Sequence, residues 1–386
     1  MPYDVQPPPF ELGHIDFNAR AFTDWLAGIR AQRRDLNVLE RPQILLGAGA
    51  LLAQDFVRYQ LSRGQVVALV DNARAGQVRD GVPIIGDNDV QPLLIKTPDA
   101  IGILCCGSEN AIGHFRRLWG ANPQPLLNYF EVMAEWPAGT SPGHRLAFLP
   151  SFSDDDGIRA AQGSARRVLQ DADSLRTLDA LMLYRLTWDG RYIAKVNRPE
   201  KAIYFEPGAL PIHDHEVFID GGAFDGDTVR AFHARTDGKY NHIHAFELDP
   251  ANAEAFVIKT SHIPNVTLHS QGLWSGPAEL GLEHRPDDGS RVSASATQTV
   301  ALDALDNVNV GAATLIKLDV EGAEVDALNG AAALIRTHKP KLAISAYHRS
   351  DDFVTLIDTV RAIREDYSFT LRHYSPILFD SVLYCI

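Results

Sequence analysis

The stretch Val217-Phe218-Ile219-Asp220-Gly221-Gly222-Ala223-Phe224-Asp225-Gly226-Asp227-Thr228 limits what this chain can fold into more than any other. Three apolar, strand-favouring residues run into a carboxylate, a glycine turn follows at once, and Thr228 stands where it can cap a helix. A strand, a tight turn and a helix in that order open an α/β domain with a parallel sheet. The spacing Asp220-x-Gly222-x-x-x-Gly226 suits a ligand bearing an amino acid. Glycines let the backbone approach closely, and a carboxylate beside them can hold an ammonium group directly or through water. A dinucleotide fingerprint would read G-x-G-x-x-G, to bring a pyrophosphate to the helix N-terminus, and this turn does not have it.

The residues downstream repeat the plan. Strands are expected at 242–247, 266–270, 315–319 and 342–347, with helices after Thr228, Pro250, Glu321 and Asp352. Residues 369–373 and 381–386 read as a closing strand pair, and the Gly-, Ser- and Pro-rich insertion 276–299 as a hairpin. Each strand end carries a candidate. Glu247, followed by Leu248, ends the second strand, where an acid can accept from both hydroxyls of a ribose. Gln271 and Gly272 follow the third, a mixed surface able to read a purine edge, although Trp274 nearby is equally a core residue. Asp319 ends the fourth, and Glu321 and Glu324 then open a helix whose dipole favours acids, so Glu324 is read as helix chemistry alone. His348 follows the fifth and can take a proton from a hydroxyl near neutral pH. The pairs His213/His215 and His242/His244 have strand-face spacing and are read as ordinary surface histidines.

An earlier α/β pattern occupies 41–140. Strands are expected at 44–46, 66–70, 82–85 and 100–106, with Gly47-Ala48-Gly49 as the first turn. Leu52 stands where a dinucleotide site would need its third glycine, so a structural or substrate-presenting role is preferred, with Asp71 as a ribose acid the alternative. At 386 residues the chain exceeds one ordinary core. Four parts are expected: 1–40 a docking segment, with a helix around Phe22, Trp25, Leu26 and Ile29; 41–140 a Rossmann-like domain; 141–210 a helical connector; and 211–386 the domain carrying the chemistry.

Charge and composition narrow the partners. A net charge of −13 disfavours nucleic acid, whose affinity comes from lysine and arginine displacing counterions, and disfavours an anionic membrane surface. No run is apolar enough to cross a bilayer, no secretory signal leads the chain, and the cysteines Cys105, Cys106 and Cys385 have no metal or redox spacing. A cytoplasmic protein is expected.

Taken in series, Asp220–Thr228, Phe246-Glu247, Ile316–Glu324, Tyr347-His348, Leu371–Tyr374 and Val382–Tyr384 resemble the FkbM-type methyltransferases, from about Leu175 to the C-terminus. The resemblance implies a class I methyltransferase sheet of seven strands whose last pair is a hairpin, here preceded by the smaller Rossmann-like domain. It implies S-adenosylmethionine (SAM) as donor and O-methylation of a hydroxyl on a sugar, glycan or secondary metabolite. It implies Asp220, Gly222, Ala223, Phe224, Asp225, Gly226 and Thr228 around the methionine end of SAM, Glu247 and Leu248 at the ribose, and Gln271 and Gly272 at the adenine. His348, Asp319 and Glu321 fall near the transfer site, His348 as base and Asp319 orienting it. Gly221 stands where the family commonly has a bulkier residue. No metal ligand is assigned; a divalent cation on Asp319 and Glu321 is the alternative way to acidify a hydroxyl. A nicotinamide-dependent oxidoreductase and a non-catalytic SAM-fold binding protein are the rival functions, and self-association into a homo-oligomer is left open.

Overall fold

The computed structural model describes residues 9–50, 53–136, 155–285, 289–292 and 298–386. Leu51, Leu52 and the expected division at 140 between the second and third parts lie outside them. Two compact units form: Met1–Asp155 with Asp179–Lys195 and Ser375–Ile377, and Asp156–Leu178 with Val196–Tyr374 and Leu378–Ile386. The stretch expected as a connector, 141–210, is therefore apportioned between them.

In the first unit α1 (Arg20–Asp35) buries Phe22, Leu26 and Ile29, the helical stripe the sequence shows. There follow β1 (Gln43–Leu46), α2 (Gln54–Arg63), β2 (Val66–Val70), β3 (Val78–Arg79), β4 (Val82–Ile85), α3 (Asp87–Lys96), β5 (Ile101–Leu104), α4 (Glu109–Trp119), β6 (Leu126–Asn128) and α5 (Tyr129–Met133). The sheet order is β3-β4-β2-β1-β5-β6, parallel except where β3 meets β4. The continuous apolar runs of β1 and β5 are buried throughout, as strands covered on both faces require.

The second unit contains α6 (Asp155–Arg166) and the start of α7 (Ala172–Thr187), then β7 (Val217–Gly221), α8 (Asp227–Arg235), β8 (His242–Phe246), α9 (Pro250–Thr260) and β9 (Val266–His269). Next come β10 (Gly272–Leu273), β11 (Ala278–Arg285), β12 (Gly289–Val292), β13 (Gln298–Asp303), β14 (Leu315–Leu318), α10 (Glu324–Gly330), α11 (Ala332–His338), β15 (Lys341–Ser345), α12 (Asp352–Ile363), β16 (Phe369–His373) and β17 (Ser381–Cys385). Seven strands run β16-β17-β15-β14-β7-β8-β9. The expected insertion hairpin exists as β11 and β12, within a separate sheet β10-β13-β11-β12. Phe218, Phe232, Ile243, Phe256 and Leu315 form the core beneath the central strands.

One consequence of this order places the site. Strands β7, β8, β14 and β15 are parallel, so their carboxyl ends share an edge of the sheet. Strand β17 is antiparallel to β15, with Ser345 opposite Val382, so β17 begins at that same edge.

Candidate active site

At the carboxyl edge of the seven-stranded sheet a cavity of about 670 Å³ opens, walled among others by Gly222, Phe224, Glu247, Lys317, Asp319 and Asp380. Strand order reverses between β7 and β14, and open α/β sheets bind ligands beside such a reversal.

The glycine turn builds the floor. Gly222 has φ +76°, and a Cβ there would sit 1.9 Å from the carbonyl oxygen of Asp319, so the first turn lies directly on the end of β14. Gly226 has φ +82°, and a Cβ would come within 2.4 Å of Thr260 Cγ2. Gly221 is less confined: its would-be Cβ meets the side-chain ends Leu273 Cδ1 at 2.9 Å and Leu318 Cδ2 at 3.0 Å, so a bulkier residue here requires those leucines to shift. The expected cap is corrected. Gly226 is the N-cap and α8 starts at Asp227, whose Oδ1 accepts from the Thr228 N–H at 2.7 Å. Thr228 lies inside the first turn, buried, and lines the cavity.

Asp220 is fully buried and is not among the lining residues. The ammonium it meets is the chain's own: Lys317 Nζ lies 3.0 Å from Asp220 Oδ1 and donates to the carbonyl oxygens of Gly221 and Gly222 at 3.2 and 2.8 Å. Of the two expected ways for Asp220 to hold an ammonium, directly or through water, the burial of Asp220 behind Lys317 disfavours the direct one. Burial raises the Asp220 carboxyl to about 6 against the pull of Lys317. Lys317 loses hydration by burial, but Asp220 and Asp319 hold its ammonium above the usual range. Lys317 is what lines the cavity.

The other expected SAM residues divide. Glu247 accepts from the Phe224 N–H through Oε2 at 2.8 Å and from the Asp249 N–H through Oε1 at 2.7 Å, and it lines the cavity with Leu248 and Gly272. Burial raises its carboxyl while the two N–H groups lower it. Asp225 turns elsewhere, paired with Arg230 at 3.3 Å and with Lys259. Ala223 packs into the core, and Gln271 is not in the wall.

Asp319, Glu321 and Glu324 meet His348, which is not itself among the lining residues. Asp319 accepts from the Tyr204 hydroxyl at 2.8 Å and from the Tyr347 hydroxyl at 3.2 Å. Burial opposes its ionisation, but Lys317 and His348 hold it below the usual carboxylate range. His348 Nδ1 lies 2.9 Å from Glu324 Oε1, and Nε2 lies 3.6 Å from Asp319 and 3.7 Å from Glu321. Burial disfavours the imidazolium, yet the three carboxylates push His348 up to about 10. A ring raised this far favours its protonated form at pH 7, which has no lone pair to offer, so this geometry disfavours the base role expected of His348. Glu324 also exceeds its expected part. It begins α10 and takes the Val320 N–H at 3.0 Å, but it is the nearest anion to His348 as well. Donor atoms of Asp319, Glu324 and His348 all lie within 4.8 Å of one another, so cation-holding groups gather here with Glu324 rather than Glu321 as the third.

The backbone marks the same place. Ten described non-glycine residues have positive φ, and four of them, Tyr204, Phe224, Glu321 and Asp380, line this one cavity. Such conformations cost about 1–3 kcal/mol each and collect where a site requires them. Lys317, Tyr204 and Asp380 escaped the sequence reading. Lys317 is the single charge inside an apolar strand and could have been flagged; Tyr204 and Asp380 sit in loops with no local pattern.

Residues 220–371 match the model of the methyltransferase FkbM domain. The crystal structure of a methyltransferase FkbM from Methylobacillus flagellatus KT is similar over 94% of this chain and 98% of that one, at 27% identity and a TM-score of 0.73. An rRNA methylase from Streptococcus thermophilus is similar over 46% of this chain and 89% of that one, at 14% identity and a TM-score of 0.32. Fibrillarin from Aeropyrum pernix, crystallised with natively bound SAM, covers 46% and 70% of the two chains at 10% identity and a TM-score of 0.29. No curated protein matches the chain.

Proposed function

We propose that this chain uses SAM to methylate a hydroxyl oxygen on a sugar, glycan or secondary metabolite, a reading supported by the match of residues 220–371 to the methyltransferase FkbM domain. The carrying observation is a single cavity whose lining joins Glu247, Leu248, Leu302 and Lys317 to Tyr204, Asp319 and Asp380.

This lining fits SAM. Each oxygen of Glu247 is fixed by one backbone N–H, Asn252 adds a side-chain hydrogen bond, and the lone-pair capacity left over faces the ribose hydroxyls. Phe246, Leu248, Leu273 and Leu302 give the purine an apolar wall. Lys317 offers a cation to the methionine carboxylate, and Asp227 and Asp319 offer anions to its ammonium. When bound, SAM supplies a methyl group already activated on a sulfonium.

The chain then has to hold an acceptor oxygen in line and manage its proton. Alignment of this kind contributes on the order of 7–11 kcal/mol. Burial pushes the Tyr204 and Tyr347 phenols well above their usual range, so both stay donors and keep Asp319 fixed and ionised. His348 serves as the counter-cation of the acids and not as their base. A phosphodiester acceptor is disfavoured by the net charge and by an acid-lined wall. A cytoplasmic location belongs to the same reading; no helix among the described residues is long and apolar enough to cross a membrane.

The test uses SAM with a carbon-13 methyl group and a small-molecule extract of source cells lacking the gene. Label should enter products one methyl group heavier, with the carbon shift of a methoxy group. Label found only on nitrogen or carbon would overturn the O-methylation.

A further inference from the structure

We propose that Asp380 is the group that takes the proton from the acceptor hydroxyl. The inference rests on the O-methylation reading and assigns its missing base.

The other carboxylates of this region are committed. Asp319 accepts from two phenols, Asp220 faces Lys317, and Glu247 holds two backbone N–H groups. Glu324 lies against His348, Glu321 stands 3.7 Å from the same ring, and Asp227 Oδ1 takes the Thr228 N–H. Glu200 is exposed to water. Asp380 lines the same wall, and among the described residues its carboxylate has neither a hydrogen-bond nor an ion-pair partner.

Its position is set by the sheet. Asp380 immediately precedes β17, whose first residue, Ser381, accepts from the Ala346 N–H at 2.8 Å at the carboxyl edge. The Tyr374 N–H closes the preceding loop on the Asp380 carbonyl at 3.0 Å, and φ is +63°. A non-glycine residue held left-handed at a cavity wall is a strained arrangement that the surrounding structure must sustain.

Asp319, Glu200, His348, Tyr204 and Tyr347 are the titratable groups that face it. Burial and repulsion by Asp319 and Glu200 raise the carboxyl to about 7, against the opposing pull of His348. A base of that strength is matched to neutral pH, and it keeps a lone pair where His348 has none. In the step, the hydroxyl proton passes to an Asp380 oxygen while the acceptor oxygen bonds to the methyl carbon. The carbon–sulfur bond breaks with its electron pair left on sulfur. The products are a methyl ether, S-adenosylhomocysteine and protonated Asp380, which returns its proton to water.

Asn is among the residues that best tolerate φ > 0, so Asp380→Asn should keep the loop. With tritiated-methyl SAM and the same cell extract, this variant should lose about 100- to 10,000-fold of the transfer rate while its calorimetric SAM affinity stays unchanged. Without any acceptor, the infrared difference between parent and variant should contain a carboxyl band that titrates near neutral pH. Near-parental transfer by Asp380→Asn, or no such band, overturns the assignment and leaves O-methylation standing. A parent that transfers no label, or none to oxygen, overturns the reading beneath and the assignment with it. If Asp380→Asn fails to bind SAM, Asp380→Glu carries the test: the acid limb of its pH–rate profile must move, and an unmoved limb overturns the proposal.

Discussion

In the first unit β4-β2-β1-β5-β6 and in the second β9-β8-β7-β14-β15 are five parallel strands in the same order, and β1 and β7 both end in a glycine turn. The turns are used differently. A Cβ on Gly47 would meet Cys106 Cβ and Phe115 Cε2 at 3.1 Å, and one on Gly49 would meet Asp71 Oδ2 at 2.6 Å. Side chains pack onto that turn, and Asp71 Oδ1 is occupied by the Ala73 N–H at 2.9 Å. At Gly222 the would-be Cβ meets main chain, the carbonyl of Asp319, and Glu247 is braced from behind with its free face on a cavity. A glycine turn is thus a topological device first. It becomes a ligand site when the acids around it are fixed by the backbone and still open on one side.

That contrast can be attacked by substitution. The largest effect is expected at Asp220, which has no charged counterpart at the end of β1: Asp220→Ala leaves the buried Lys317 ammonium unpaired, at a cost of about 3–5 kcal/mol in denaturant unfolding. A smaller loss would mean that water reaches Lys317. His348 should show itself through pH. Its folded value is raised, so the stability it lends is complete below about 6.5, the unfolded value, and is lost as pH rises through about 10. Hydrogen exchange in α10 and β15 should accelerate over that window and stay flat in His348→Gln. The glycines come next. Gly222→Ala should cost about 2–3 kcal/mol of stability and abolish calorimetric SAM binding, because the obstructing atom is main chain. Gly49→Ala meets a side-chain end that can rotate and should leave SAM binding untouched. Glu247→Gln should weaken SAM by about 1.5–3 kcal/mol per charge-assisted bond lost, while Asp71→Asn should not change it. Asp225→Ala should cost less than about 1 kcal/mol and leave SAM affinity alone, since its partners are surface cations.

Much of this was legible in the sequence where a local pattern carried it. The four strands read in the first unit and those read in the second occur near their expected positions, because continuous apolar runs between glycine or polar turns admit few alternatives. Strands β3 and β6, two and three residues long, gave no periodicity to read. The fourth strand's motif was visible, but the pairing of Lys317 with Asp220 depends on a β14–β7 register that no local spacing encodes. His348 lies at the sheet edge as expected, but the carboxylates that raise it, Glu324, Asp319 and Glu321, reach it only once the chain turns back through left-handed Glu321, which no local spacing shows. Asp380 was invisible for the same reason: its neighbours come from other strands.

The wall of the cavity counts six carboxylates, from Glu200, Asp227, Glu247, Asp319, Glu321 and Asp380, against two lysines, Lys201 and Lys317. Such a lining makes turnover itself a change of affinity. The donor enters with a sulfonium charge and the spent molecule leaves without it. A unit charge about 8 Å from one uncompensated carboxylate is worth about 2 kcal/mol at an effective dielectric of about 20. On the proposed placement of SAM in this cavity, the field that draws the donor in loosens its grip when the methyl group departs, and the wall itself favours escape of the product.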